Sequence, residues 1–510
     1  MLLAFVVPAV AQTQEGGTAA PPSVSQGQGG TPLSRGIEAF RQNEYDRAVR
    51  ELTRAIEVDP ESPDAHHWLG YTYFKQKNIE QALSELERAN MLRPNASDII
   101  TNLGTVLLAK PNRTSDDTQR AVALFEQAAR VAPSASASFN LGSAYTRIAN
   151  DAKAADAFAD ATNRDPNDGK AWSNLGYTLS RLNRNDEAKA ALTKAVTLNP
   201  GDPAPPVALG ALLRRTGDAA GSLSILQTAQ TAFPGDTSVL SELAQTYAEQ
   251  RNFVQAAQTF GIVAEAHETA GTPDKTARYN QGVSLAKAGQ YADAVTAYDK
   301  ALTLDPAYFD ALVNSGVALF SLNKMPEAAT RFQQATAVRP DSTVAWANLA
   351  TVNDRANNRS EAAQAWRKAV ALDARNYEWR ALLVSDLMTL NRYESAVPIA
   401  KQMAALRAKS AEPLNLLGLA YQGAAEEATL ASKKQAFLVQ ALQAFEQAAK
   451  RNPQSGEAYN NQGVIHERRG EIPEAIACYR KAIAVQPRLT DARRNLARFS
   501  EAASASKGRP

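Results

Sequence analysis

Asparagine recurs at one position along this 510-residue chain, at Asn102, Asn140 and Asn174 and again at Asn280, Asn314, Asn348 and Asn461. Each stands two residues before a Gly, or before the Ala that replaces it at Ala350. A carboxamide offers both a donor and an acceptor. A row of amides can therefore pair with an extended peptide backbone without reading its side chains. The same groups can equally bridge neighbouring helices, and the residues alone leave both roles open. A second row lies five residues after that Gly: Arg41, Lys75, Arg147, Arg181, Arg215, Lys287, Arg355 and Arg468. Such cations could hold an acidic segment or a carboxylate, or complement the negative end of a helix dipole. Aromatics near the Asn row, Trp68, Tyr71, Phe139, Tyr177 and Tyr279, are candidate anchors for ligand side chains.

Groups for bond-making chemistry are missing from the pattern. No Gly-rich phosphate loop, nucleophile elbow, metalloprotease helix motif or paired-Cys motif occurs. The four histidines are His66, His67, His267 and His466. Adjacent His66 and His67 point in different directions on a helix and cannot share a metal. The one cysteine, Cys478, can form no intramolecular disulfide. Its place beside Tyr479 predicts a small buried apolar residue. Neither a cofactor nor a metal is expected.

The elements that position the two rows follow from a 34-residue period. The recurring Gly falls at Gly36, Gly70, Gly104, Gly142, Gly176, Gly210, Gly282, Gly316, Gly418 and Gly463, with Ala244, Ala350 and Val384 in its place elsewhere. An Ala follows in the next segment, for example Ala82, Ala188 and Ala328, and then a large residue such as Phe158, Phe332 or Trp366. Closing prolines include Pro60, Pro94, Pro200, Pro306 and Pro340. Apolar residues recur at three and four residue spacing, so each repeat reads as two amphipathic helices. A small residue where the helices cross allows close approach, the large one fills the space between repeats, and Pro stops the second helix.

This pattern resembles the tetratricopeptide repeat family. About thirteen repeats cover Pro32 to Leu489, nearly the whole chain after its N-terminal segment. The resemblance implies an all-α, right-handed solenoid superhelix whose first helices line a concave groove. Family members that bind peptides there use asparagine ladders, and the resemblance implies the same use of the Asn row. It also implies a non-catalytic scaffold for peptide or helix segments of partner proteins. Two alternatives are a substrate-presenting subunit of a separate enzyme, such as a glycosyltransferase, and a self-assembling structural protein with weak homo-oligomerisation.

Composition agrees with a helical repeat protein: 44% hydrophobic, 21% charged, 55 Lys plus Arg against 53 Asp plus Glu. A net charge of +2 argues against a nucleic-acid partner. Residues 1–11 hold an apolar run, Leu2–Val10, and a small-x-small sequence, Ala9-Val10-Ala11, as in an export signal. No Lys or Arg precedes Arg35, which suggests a start upstream of Met1. The run is too short to span a bilayer. Export predicts a periplasmic or cell-envelope setting, with a role in assembly or secretion; without it the chain is cytoplasmic. Residues 12–31 read as a flexible linker, 32–268 as repeats one to seven, 275–489 as repeats eight to thirteen, 490–503 as a capping helix and 504–510 as a disordered tail. Three departures stand out: a polar loop at Lys110–Arg120, a turn at Glu268–Lys275, and helix-lengthening residues around Ala424–Lys434. Repeat eleven, with Val384, Met403 and Pro398, is a candidate bend.

Overall fold

The structure is a computed structural model that describes residues 30–507, with side chains to residue 499. The expected export signal lies outside the described residues, as does the linker before residue 30. The described residues form twenty-seven α-helices and no strand. They divide into two compact units between Ser284 and Leu285, inside one helix.

In residues 30–284 the helices alternate as first and second members of repeats. They are α1 (Pro32–Arg41) and α2 (Tyr45–Val58), α3 (Pro63–Lys75) and α4 (Ile79–Leu92), α5 (Ser97–Ala109) and α6 (Ser115–Val131), and α7 (Ala135–Arg147) and α8 (Asp151–Arg164). Then come α9 (Gly169–Arg181) and α10 (Asn185–Leu198), α11 (Ala204–Arg215) and α12 (Ala219–Ala232), and α13 (Thr237–Glu249) and α14 (Phe253–Thr269). The division falls within α15 (Lys275–Lys287). Residues 285–507 continue with α16 (Tyr291–Leu304), α17 (Phe309–Ser321), α18 (Met325–Val338), α19 (Thr343–Arg355), α20 (Arg359–Leu372), α21 (Tyr377–Thr389) and α22 (Tyr393–Leu406). They end with α23 (Glu412–Glu427), α24 (Ala431–Arg451), α25 (Gly456–Arg468), α26 (Ile472–Val485) and α27 (Thr490–Lys507).

Most repeats share the same local devices. Ser62, Ser134, Asp168, Asp236, Ser342, Asn376 and Ser455 cap first helices by accepting backbone N–H bonds. The link to the second helix turns through one left-handed residue. Asn fills it at Asn43, Asn183, Asn323, Asn357 and Asn391, and Gly at Gly217, Gly289 and Gly470. Gly and Asn tolerate that region best. The residue four before the crossing Gly secures the closing proline: Trp172 Nε1 donates to the Pro166 carbonyl at 2.9 Å and Trp346 Nε1 to that of Pro340 at 2.8 Å.

The crossing glycines are forced by packing. A Cβ on Gly142 would stand 2.7 Å from the Phe158 ring, and one on Gly176 2.6 Å from Leu192 Cγ. Phe158 and Leu192 are wholly buried. Repeat eleven inverts the pair. Val384 takes the small position, Ala400 takes the large one, and both are fully buried. Its α22 stays continuous across the exposed Pro398.

Two boundaries differ from the sequence reading. The expected loop Lys110–Arg120 is helical from Ser115, because Thr114 and Asp117 form a reciprocal capping box. The last helix continues to Lys507, past Ala503. Its cap role is visible in Phe499, stacked on Tyr479 at 6.3 Å, and in Asn495, which donates to Asn460 Oδ1 at 3.0 Å. The residues around Ala424–Lys434 do lengthen the helices, α24 reaching 21 residues. No helix among the described residues is long and apolar enough to cross a membrane.

Candidate functional site

The Asn row lies on the first helices, but most of it is packed between them. Asn102, Asn140, Asn174, Asn280 and Asn314 are buried, whereas Asn348 and Asn461 are half-buried. Asn102, on α5, donates from Nδ2 to His67 Nε2 on α3 at 2.9 Å. His67 Nδ1 lies 3.5 Å from Asp98. Burial drives the His67 pKa down to about 4, against the pull of Asp98 and Asp64. The imidazole is therefore neutral at physiological pH, and Asn102 serves helix–helix bonding. Asn174 Nδ2 is buried and makes no hydrogen bond. Five of the seven amides are thus packed between helices, and Asn348 and Asn461 are the more accessible members of the row. Asn140, though buried, borders open space. It lines a small pocket of about 80 Å³ with Phe74, Thr105, Leu108, Ala109, Phe125, Ser143 and Arg147.

The aromatics divide in the same way. Trp68 and Tyr71 belong to the core around α1 to α3, with ring centroids 5.3 and 5.2 Å from that of Phe40. Phe139 sits 5.6 Å from Phe158, edge-on, and Tyr279 is buried. These four fill space between helices and are not presented to a ligand. Tyr177 alone is half-exposed.

The basic row ends the first helices. Lys75 is exposed with its Nζ 5.2 Å from the Tyr71 ring, and Arg355 is exposed at the end of α19. Arg468 forms an ion pair with Glu426. Burial lowers the pKa of half-buried Lys287. Arg181 pairs with Asp151 at 3.0 Å. Arg215 reaches back to the end of α9 and the start of α10, bonding Ser180 O at 3.0 Å, Ser180 Oγ at 2.8 Å and Asn185 Oδ1 at 3.2 Å. Much of the row thus ties successive repeats together. Cys478 is half-buried rather than buried, and desolvation raises its pKa. That is opposite to what a reactive thiolate needs.

Besides Asn140 with Arg147, the sequence-predicted residues that converge are Tyr177, Arg181 and Arg215. They line a cleft of about 420 Å³ with Ser180, Ala208, Ala211, Leu212, Arg214 and Glu249, all on α9, α11 and α13. That volume is within the range of about 300–1,000 Å³ typical of ligand pockets. The cleft coincides with an interruption of the Asn row. Ala208 stands at the Asn position of repeat six and cannot fill the space. In repeat seven the position holds Glu242, nearly inaccessible and bonded to Arg214 at 2.6 Å. Arg214 also donates to Glu249 at 2.5 Å and Gln245 at 3.1 Å. Burial raises the Glu242 pKa and Arg214 opposes that rise. Ala208, Arg214 and Glu242 were not singled out from sequence. The signal was the gap in the Asn row between Asn174 and Asn280. Among the described residues no group of three or more His, Cys, Asp or Glu side chains could hold a metal.

Comparison with known proteins agrees with this architecture. Tetratricopeptide repeat models match residues 36–77, 63–96, 285–352 and 434–492. The model of the cilia and flagella-associated protein 70 C-terminal domain matches residues 93–281. Among solved structures, the APC/C hetero-tetramer Cut9–Hcn1 is 14% identical, over 92% of this chain and 98% of that one, with a TM-score of 0.35. YrrB, described as having an unusual peptide-binding site, is 21% identical over 39% of this chain and 96% of its own, with a TM-score of 0.31. The C-terminal part of a repeat protein from Cytophaga hutchinsonii is 17% identical over 48% and 99%, with a TM-score of 0.43. The repeat-model matches and the paired helices establish that this chain belongs to the tetratricopeptide repeat family.

Proposed function

We propose that the chain is a scaffold whose first-helix face, within residues 30–284, binds segments of partner proteins. Tetratricopeptide repeat proteins bind other proteins and are generally non-catalytic. The observation that carries the reading is the 420 Å³ cleft lined only by first helices α9, α11 and α13. It is an apolar recess with a few convergent polar groups, as binding pockets are. The Asn140 pocket supplies a second recess on α3, α5, α6 and α7. The proposal extends to export and a cell-envelope role, motivated by residues 2–11; fractionation with N-terminal sequencing of the mature chain checks that part.

Site-specific photocrosslinking tests the face. A photoreactive residue is placed at Arg147 or Ala211 on first helices, and at exposed Lys194 or Lys300 on second helices. Crosslinked partners in native extracts are then identified by mass spectrometry. Partner adducts should concentrate at positions 147 and 211. Equal or greater yield at 194 and 300 would overturn the assignment.

A further inference from the structure

The charges around the cleft of α9, α11 and α13 are unequally satisfied. Arg181 is paired with Asp151, and Arg214 with Glu242 and Glu249. Arg215 has no ion-pair partner among the described residues. Its three hydrogen bonds all leave from one nitrogen, Nη2, and all end on neutral acceptors. The planar guanidinium keeps its Nε and Nη1 N–H groups for another acceptor, and each suits a single carboxylate oxygen. Below it the floor is apolar: Ala208, Ala211 and Leu212, with the half-exposed Tyr177 ring as a wall. The site therefore combines an apolar recess with one guanidinium that has no ion-pair partner of its own.

We propose that this cleft receives a partner-protein segment that lays one bulky apolar side chain on Ala208, Ala211 and Leu212 and sets a neighbouring Asp or Glu carboxylate against Arg215. The inference rests on the binding reading above and specifies the chemistry of its occupant. A single spare cation calls for a single carboxylate rather than a run of anions. A polyphosphate or nucleic acid would need several unpaired cations, and Glu249, half-exposed at the rim, would repel a second negative group. The apolar floor supplies affinity and the arginine supplies orientation.

The test is selection of a displayed library of random twelve-residue peptides against the full chain, repeated on Arg215→Ala and Ala208→Leu variants. Arg215→Ala removes the bonds to Ser180 and Asn185 and Ala208→Leu fills the recess, so both variants are checked by their melting curves. The wild-type chain should enrich peptides with an acidic residue within about two positions of a large apolar one. The best synthetic peptide, followed by fluorescence anisotropy, should weaken about ten-fold or more in each variant, as loss of a charged hydrogen bond or a filled pocket predicts. Inorganic phosphate alone should fail to displace it. Enriched peptides that lack the acid, or that bind both variants as tightly as wild type, overturn this inference and leave the scaffold reading standing. Displacement by phosphate alone would assign the cleft to a free anion and overturn the inference as well. No enrichment on any form of the chain counts against both readings.

Discussion

Swapping the inverted pair of repeat eleven back to the pattern of its neighbours should reveal how strongly the crossing position is coupled. In most repeats the crossing Gly abuts a large residue so closely that a single Cβ would intrude: 2.7 Å to Phe332 from Gly316 and 2.6 Å to Tyr479 from Gly463. Val384 and Ala400 occupy the equivalent positions on α21 and α22 with sizes reversed, and neither has accessible surface. Ala400→Phe alone would drive a ring into the space Val384 fills. Overpacking of that kind costs about 1–3 kcal/mol, and the upper end applies because Val carries more bulk than the Cβ that already intrudes elsewhere. Val384→Gly alone removes a buried Val side chain, about 1.5–3 kcal/mol, and adds nearly 1 kcal/mol for glycine in a helix interior. The double variant restores a Gly–Phe pair, so only the glycine term and some residual misfit remain, about 1–2 kcal/mol. The two changes should therefore couple favourably by about 3.5–6 kcal/mol, above the range of about 0.5–3 kcal/mol usual for contacting residues.

Repeat arrays do not unfold as one two-state unit, so the assay is hydrogen exchange read by mass spectrometry on peptides from residues 377–406. Opening free energies of the wild type, both single variants and the double variant close the cycle. Additivity within about 0.5 kcal/mol would mean that positions 384 and 400 do not pack against each other, and the register argument would fail with it.

Local stability should depend on pH with opposite signs in two places. His67, whose pKa falls from 6.5 to about 4 on burial, stabilises α3 and α5 above pH 6.5. That contribution, about 3 kcal/mol, is lost as pH drops from 6.5 through 4. A His67→Gln chain should show no such slope by pH-dependent exchange. Asp386 is buried, near Asp354 and bonded to Arg359 at 2.9 Å, and desolvation lifts its pKa from 3.8 to about 6. Stability near α21 should instead be lost as pH rises from 3.8 through 6, and Asp386→Asn should abolish that slope. Asn102→Ala, which strips His67 Nε2 of its bond, should cost about 1–3 kcal/mol by exchange in α3 and α5. Half-buried Asn461→Ala should cost under about 1 kcal/mol. Thr114→Ala removes the capping box of α6 and should raise exchange at residues 115–118 by about 1 kcal/mol, with α8 unaffected.

The helical pairing was legible because one period carries it. Gly, Ala, the large residue and Pro fall at fixed offsets, and each offset has a steric cause. The left-handed turn was not read from the sequence; the structure shows Asn43, Asn183, Asn323, Asn357 and Asn391 recurring there with a backbone φ near 60°. The site was legible only in part, because exposure at the Asn position depends on what the adjacent repeat offers. His67 provides Asn102 with a partner, and Ala208 leaves a void that no single-repeat pattern announces. The polar run at Lys110–Arg120 read as loop because its charges hide a helix start; Thr114 and Asp117 are a capping box whose spacing could have located it.

Departures from the repeat pattern separate into two kinds, and the distinction bears on where function lies. Some are matched by a second departure. Val384 is answered by Ala400, and Glu242, an acid where other repeats place an amide, is answered by Arg214 at 2.6 Å. Such pairs keep the interior full and the charges balanced, so they need no ligand to explain them. Ala208 has no answering residue. The neighbouring Ala211 is also small, Tyr177 stands half-exposed beside them, and Arg215 keeps an unpaired charge above. The cleft of about 420 Å³ opens to solvent on the first-helix face, unlike the crossing positions, which cannot admit one methyl group. Filling it with Ala208→Leu should stabilise the bare chain, or at worst leave it unchanged, while removing binding. A loss of stability beyond about 1 kcal/mol would instead show that the surrounding helices already use the space.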